Sequence, residues 1–206
     1  MFARNVFLFV FDTMADWETS FAVAGINNPR YQRHPCRHRV VTVGTTRKPV
    51  TTMGGLRIIP DTILSELDSN DAAMLILPGG ETWESCSNME AVDAARVFFV
   101  ASVPIAAICG ATFALARAGM LDDFHHTSNC RDYLLASGYR GEKFYCDVPA
   151  VTDESVITAS GLAPLEFARE IFKTLDLYTP SALEPWYSLF KFGNASRYQE
   201  LADCAA

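Results

Sequence analysis

Residues 103–119, VPIAAICGATFALARAG, constrain this chain more tightly than any other stretch. An apolar run reads as a buried strand and passes without a linker into an alanine-rich helical run. A lone thiol, Cys109, falls on the tight turn between them. On a strand–turn–helix elbow the side chain stands at the edge of the sheet, above the helix N-terminus. Free N–H groups and the helix dipole favour an anion there, which predicts a thiol that ionises more easily than a free cysteine.

The rest of the chain repeats the same alternation. Residues 6–11, VFLFVF, suit a strand covered on both faces, as in a parallel sheet. A helix follows over 16–25, with Trp17, Phe21 and Ala24 on one stripe and Gly25 near its end. Strands are expected at 40–43, 56–59 and 74–77, the last running into Pro78-Gly79-Gly80. Ser87 and Glu90 fit a capping box opening a helix through Phe99. Residues 126–128 read as a strand, 131–136 as a short helix, and 150–151 with 156–159 as a strand pair. Pro164 suits a first helical position, followed by an apolar stripe of Leu165, Ala168, Phe172 and Leu175. The fold class is therefore α/β: a three-layer sandwich with a mainly parallel, flavodoxin-like sheet, helices on both faces and a nucleophile elbow. Residues 1–180 make the α/β domain. The aromatic-rich tail, 181–206, is a C-terminal helical extension that packs on the domain or on a second subunit, with Trp186, Tyr187, Phe190 and Phe192 as dimer contacts.

Composition removes several classes of function. A net charge of -7 and the lack of a Lys/Arg-rich run argue against nucleic acid, and the tail carries only Lys191 and Arg197 as cations. Six cysteines without a C-x-x-C pair suit reduced thiols in a cytoplasm. No apolar run is long enough to span a bilayer, and the N-terminal stretch does not read as a secretory leader. His34, Cys36 and His38 lie close in sequence, but a solvated basic loop is the better reading than a metal site, and no cofactor is expected.

Ligand crevices of doubly wound sheets lie at the carboxyl ends of the strands. Three segments end there: residues 12–18 after the first strand, Gly79-Gly80, and Cys109. The backbone N–H groups of Gly79, Gly80 and Gly110 are candidates for an oxyanion hole, against a bare Gly-Gly turn as the alternative. Asp12, Asp16 and Glu18 compete for the role of acid or base beside the thiol, and spacing alone does not separate them.

The elbow AICGAT, the LPGG turn, and the segments AGMLDDFHHTSN from Ala118 and ITASGLAPLEFA from Ile157 resemble the ThiJ/PfpI superfamily, within the class I glutamine amidotransferase-like fold. The likeness runs over residues 6–177 and leaves the tail outside. It implies that Cys109 is the nucleophile, that Glu18 in ADWET is its acidic partner, and that Gly80 and Gly110 form the oxyanion hole. It also implies a homodimer or larger ring.

The pattern departs from that family at its histidines. Gly110 stands where peptidase-like members carry His directly after the cysteine, and Asn129 where other members carry one. No histidine follows His126, so the late His-x-Glu of glutaminases is absent. On a strand, His125 would lie about 13 Å from Asn129, at ~3.3 Å per residue, and His126 would point away. Asn129 reads best as a helix N-cap, although it, His125 and His126 are all assigned to the neighbourhood of the crevice. Peptide cleavage needs an acid for the departing amine and a base for water. A small electrophile (an aldehyde, a ketoaldehyde or an isocyanide) needs only thiolate attack, oxyanion stabilisation and one returned proton. The expected function is therefore a cysteine-dependent hydrolase, amidase, hydratase or glyoxalase-like enzyme on a small molecule. The alternatives are a redox or stress sensor built on reversible oxidation of Cys109 and an idle binding domain.

Overall fold

The computed structural model describes residues 4–204; residues 1–3 and 205–206 lie outside the described residues. In chain order the elements are β1 (Arg4–Phe9), α1 (Asp16–Asn27), β2 (His38–Gly44), β3 (Val50–Thr51), β4 (Arg57–Ile58), β5 (Thr62–Ile63), β6 (Ala72–Leu77), α2 (Met89–Val100), β7 (Ile105–Ile108), α3 (Gly110–Arg117), α4 (Arg131–Leu135), β8 (Ala150–Asp153), β9 (Val156–Ala159), α5 (Pro164–Thr174), α6 (Pro180–Phe192) and α7 (Arg197–Asp203). Seven strands form one sheet in the order β5-β2-β1-β6-β7-β9-β8, parallel except for β8. Helices α1 and α5 pack together on one face, and α2 and α3 cover the other. Every residue of β6, β7 and β9 is buried, as continuous apolar runs between two helical layers require.

The strand order fixes where a site forms. From β1 the chain moves outward to β2 and β5, then returns to β6 and proceeds the other way. The carboxyl ends of β1 and β6 thus flank the point where the winding reverses, which leaves a crevice. The two strand ends are tied across it: Ala15 N–H donates to the Gly79 carbonyl at 3.0 Å, and Met14 bridges to Gly80.

Several expectations change. The strand read at 56–59 is β4, which pairs only with β3 in a separate antiparallel hairpin. Residues 126–128 form no strand; His126 makes one isolated bridge to Tyr145. The capping box fails. Helix α2 begins at Met89 with Asn88 as its N-cap, and the Ser87 hydroxyl pairs with Ser85 instead. The stripe carrying Trp17 and Phe21 is not the buried face of α1, which is Glu18, Thr19, Ala22, Gly25 and Ile26.

The tail packs on its own domain. Trp186 of α6 is buried, with its ring 4.9 Å from Phe172, 6.2 Å from Tyr178 and 6.4 Å from Phe21, centroid to centroid. Trp186 therefore serves the fold and is not free for a partner, while Phe190 and Phe192 stay exposed. Trp186→Ala is expected to cost about 3–5 kcal/mol in chemical denaturation, because a large void opens between α1, α5 and α6. A loss below 1 kcal/mol would mean that α6 is a loose appendage.

Candidate active site

Cys109 closes β7 and stands as the N-cap of α3, with φ 58° and ψ -124°. A positive φ is costly for a residue with a Cβ, so the surroundings must hold it. They do so from three sides. The Cys109 N–H donates to the Ala159 carbonyl at 3.0 Å, which ties the elbow to the end of β9. The Cys109 carbonyl accepts from Thr112 N–H at 3.1 Å and from Thr112 Oγ1 at 2.6 Å. Thr112 Oγ1 also lies 2.6 Å from Ser128 Oγ.

Glu18 enters from the first turns of α1 and is wholly buried. Its Oε2 accepts from Gly79 N–H at 2.6 Å, while Oε1 receives no hydrogen bond from a fixed donor among the described residues and faces the thiol. Burial pushes the Glu18 carboxyl up to about 7, against the opposing pull of Gly79 N–H and of the thiol. Burial, and then the charge of Glu18, push the Cys109 thiol up to about 11, although Asn129 and Gly110 N–H pull it down. The expectation of an easily ionised thiol is thus corrected: the helix N-terminus is outweighed by desolvation and by the neighbouring carboxylate. The two groups act as one coupled acid that first releases a proton near neutrality.

The competition among the three acids is resolved by what each one binds. Asp12 accepts from Thr51 N–H at 2.7 Å and Asp16 from Gly54 N–H at 2.6 Å. Both hold the β3–β4 hairpin against the loop after β1, and only Glu18 reaches the sulfur. Gly79 spends its N–H on Glu18, so of the three glycines proposed for an oxyanion hole it is not free to donate. A Cβ on Gly79 would fall 2.6 Å from both Cys109 Cβ and Glu18 Oε2, so glycine is required there by close approach.

Asn129 is not a helix cap. The N-cap of α4 is Cys130, and the Asn129 amide joins two parts of the site. Its Nδ2 donates to Cys109 Sγ at 3.3 Å, and its Oδ1 accepts from Gly161 N–H at 2.9 Å. His125 pairs with Asp153 at 2.9 Å on the surface. His126 is buried between the Phe124 carbonyl at 2.7 Å and the Tyr139 hydroxyl at 3.0 Å. Both imidazoles are committed elsewhere and neither belongs to the crevice.

Sequence reasoning missed Gly161 and Trp17. A Cβ on Gly161 would stand 2.9 Å from Cys109 Sγ and 3.0 Å from Glu18 Oε1, so this glycine forms a wall of the site. The indole of Trp17, itself half exposed, donates to the Gly161 carbonyl at 3.2 Å. The available signal was that β9 runs into Ser160-Gly161 just as β6 runs into Pro78-Gly79. Among the described residues no three His, Cys, Asp or Glu side chains gather as metal ligands.

A parallel sheet with an elbow cysteine at one strand end, a buried acid from the first helix and two glycine turns defines the class of cysteine-elbow α/β proteins. The chain belongs to the DJ-1/PfpI family, which matches residues 4–174. It is 43% identical over 204 residues to a Bacillus subtilis protein named "Uncharacterized protease YoaZ", covering 98% of this chain and 97% of that one. It is 28% identical over 146 residues to the Caenorhabditis elegans "Glutathione-independent glyoxalase DJR-1.2", covering 67% of this chain and 74% of that one. Among solved structures, a thiJ/pfpI family protein from Bacillus anthracis superposes with a TM-score of 0.91 at 41% identity, covering 98% of this chain and 97% of that one.

Proposed function

We propose that this protein is an enzyme in which Cys109 attacks a small carbonyl-type electrophile, with Glu18 carrying the proton. The observation that bears most weight is the pairing of the thiol with a buried carboxylate whose pKa lies near 7, with both nearby imidazoles committed elsewhere. As Sγ bonds to the carbonyl carbon, the thiol proton passes to Glu18 Oε1. The C=O π pair moves onto oxygen, facing Gly80 and Gly110 N–H, and Glu18 then returns the proton to that oxygen. The step needs no other acid, which favours an aldehyde or ketoaldehyde over a peptide. The glyoxalase name of one relative agrees with this reading, and the protease name of another makes peptides the competing substrate. All six cysteines are unpaired, in keeping with a reducing cytoplasm. A second copy would cover exposed Phe190 and Phe192.

Methylglyoxal, isocyanides, simple amides and chromogenic peptides, each assayed with wild type and Cys109→Ala, test the reading. Turnover of methylglyoxal that vanishes in the variant supports it. Efficient Cys109-dependent peptide cleavage with no action on aldehydes overturns it.

The pH profile follows from the pair. Glu18 must be ionised to accept the proton, so kcat/KM is expected to rise with pH through about 7. A profile flat from pH 5 to pH 9 would remove Glu18 from the role. Gly161→Ala is expected to lower the melting temperature as well as activity, because its methyl would meet not only the movable Sγ but also Cys109 Cβ and Glu18 Oε1, each at 3.0 Å and held in place. It should lower kcat/KM about a hundredfold, the usual result of displacing a reacting atom by ~1 Å. Unchanged turnover would mean that Sγ reacts from another rotamer.

A further inference from the structure

We infer that the end of the sheet opposite Cys109 holds a second site, for a small phosphate- or carboxylate-bearing molecule. A cavity of about 350 Å³ opens there at the amino-terminal ends of the parallel strands. Its lining includes Arg4 at the start of β1, Arg37 and His38 at the start of β2, and Ser69, Asn70 and Ser102 from the connections before β6 and β7. Among the described residues no carboxylate lines it. Two arginines therefore line a hollow without a carboxylate in its lining, in a chain whose net charge is -7.

His38 supplies the second, independent observation. It was read in the sequence as part of a solvated basic loop, but it is only 6% exposed. Neither its Nδ1 nor its Nε2 has a hydrogen-bond partner among the described residues, although the backbone at Leu175 and Arg4 faces the ring. Buried polar nitrogens are rarely left so, and burial with the charges of Arg37 and Arg4 pushes the His38 pKa down, so the ring enters the site neutral, with one N–H to give an anion.

The cations are only partly used by the protein itself. Arg4 Nη2 donates to the Ala72 carbonyl at 2.5 Å, and Arg37 Nη1 stands 4.0 Å from Asp176 Oδ2, while the other oxygen of that carboxylate, Oδ1, accepts from Arg33 Nη1 at 2.9 Å. Residues at the ends of α2 and α5 also reach this region, and the negative ends of those helices favour a cation. That accounts for positive charge near the cavity. It does not account for a buried imidazole beside them that makes no hydrogen bond of good geometry among the described residues. Phosphate and carboxylate share the chemistry required, two or more oxygens for guanidinium and imidazole N–H groups. The site lies outside the Cys109 crevice and is independent of the function proposed for it.

Inorganic phosphate and citrate, each titrated at constant ionic strength into wild type, Arg37→Gln and Cys109→Ala, test the assignment. Calorimetry should find one saturable site, and a tenfold excess over Kd should raise Tm by about 3–6 °C. Arg37→Gln should weaken binding tenfold or more, and Cys109→Ala should leave it intact. The His38 ring resonances should shift with the same saturation curve. Preference for phosphate identifies a phosphoryl ligand and preference for citrate a carboxylate; either supports the site. Lack of saturable binding, binding that survives Arg37→Gln, or an unmoved His38 resonance overturns it.

Discussion

Glu18→Gln is expected to make the protein more stable above neutral pH and at the same time to remove most of its Cys109-dependent activity. The folded state holds the Glu18 carboxyl near 7, against an ordinary value of 4.5. Between these two values the folded protein keeps a proton that the unfolded chain has released. Stability therefore falls as pH rises from 4.5 to about 7 and stays low above it. The full penalty is about 3 kcal/mol, at 1.36 kcal/mol per pKa unit. Glutamine carries no such charge. Its amide oxygen still accepts from Gly79 N–H, and its NH₂ faces the thiol. Urea denaturation at pH 8 should show the variant more stable by up to about 3 kcal/mol, with the gap closing toward pH 4.5. Since glutamine cannot take the thiol proton, kcat should fall about 10²–10³-fold at pH 7. The rise through pH 7 should give way to one set by the thiol alone. A variant as active as wild type would end the role of Glu18 as proton carrier; a variant less stable at pH 8 would mean that the carboxylate is compensated in the fold.

Cys109→Ala should reduce turnover to the background rate of the electrophile in buffer, a loss of at least about 10³-fold, because no other group in the site can form the covalent adduct. Its stability should separate from that of Cys109→Gly. Alanine keeps the cost of a φ of 58°, whereas glycine adopts that backbone freely. Glycine should be the more stable of the two by about 1 kcal/mol in matched denaturation curves, even after its larger loss of chain entropy. Equal or lower stability for glycine would show that Thr112, Ser128 and the Ala159 carbonyl carry the elbow without strain. Residual turnover in the alanine variant would point to general acid–base catalysis by Glu18 alone.

The fold was legible wherever burial on two sides leaves an unbroken apolar run. Residues 6–11 and 74–77 and the elbow strand belong to that class. It failed where tertiary contacts replace local patterns. Leu56 and Ile59 suggested a strand of the main sheet, yet the segment pairs only within a hairpin held by Asp12 and Asp16. Ser87 and Glu90 had the letters of a capping box, but the helix begins one residue later, after Asn88, whose side chain bonds Thr82 and caps nothing. Cysteine at an elbow and glycines after strands marked the site. The thiol's acidity was misjudged, because a helix N-terminus is visible in sequence while a buried carboxylate at its side is not.

By itself the sequence determined the alternating α/β order, the placing of Cys109 on a strand-to-helix turn, and the shortage of histidines from which the proposed chemistry was argued. These are local or compositional properties, and periodicity and turn residues encode them directly. Only the tertiary structure decided which of three acids meets the sulfur, that Gly79 serves Glu18, and that Asn129 links Cys109 to Gly161. It also decided that Trp186 closes the core and that His38 is buried beside a hollow. Each of these depends on residues far apart in the chain. The strand order brings them together, and their spacing along the sequence carries no trace of it.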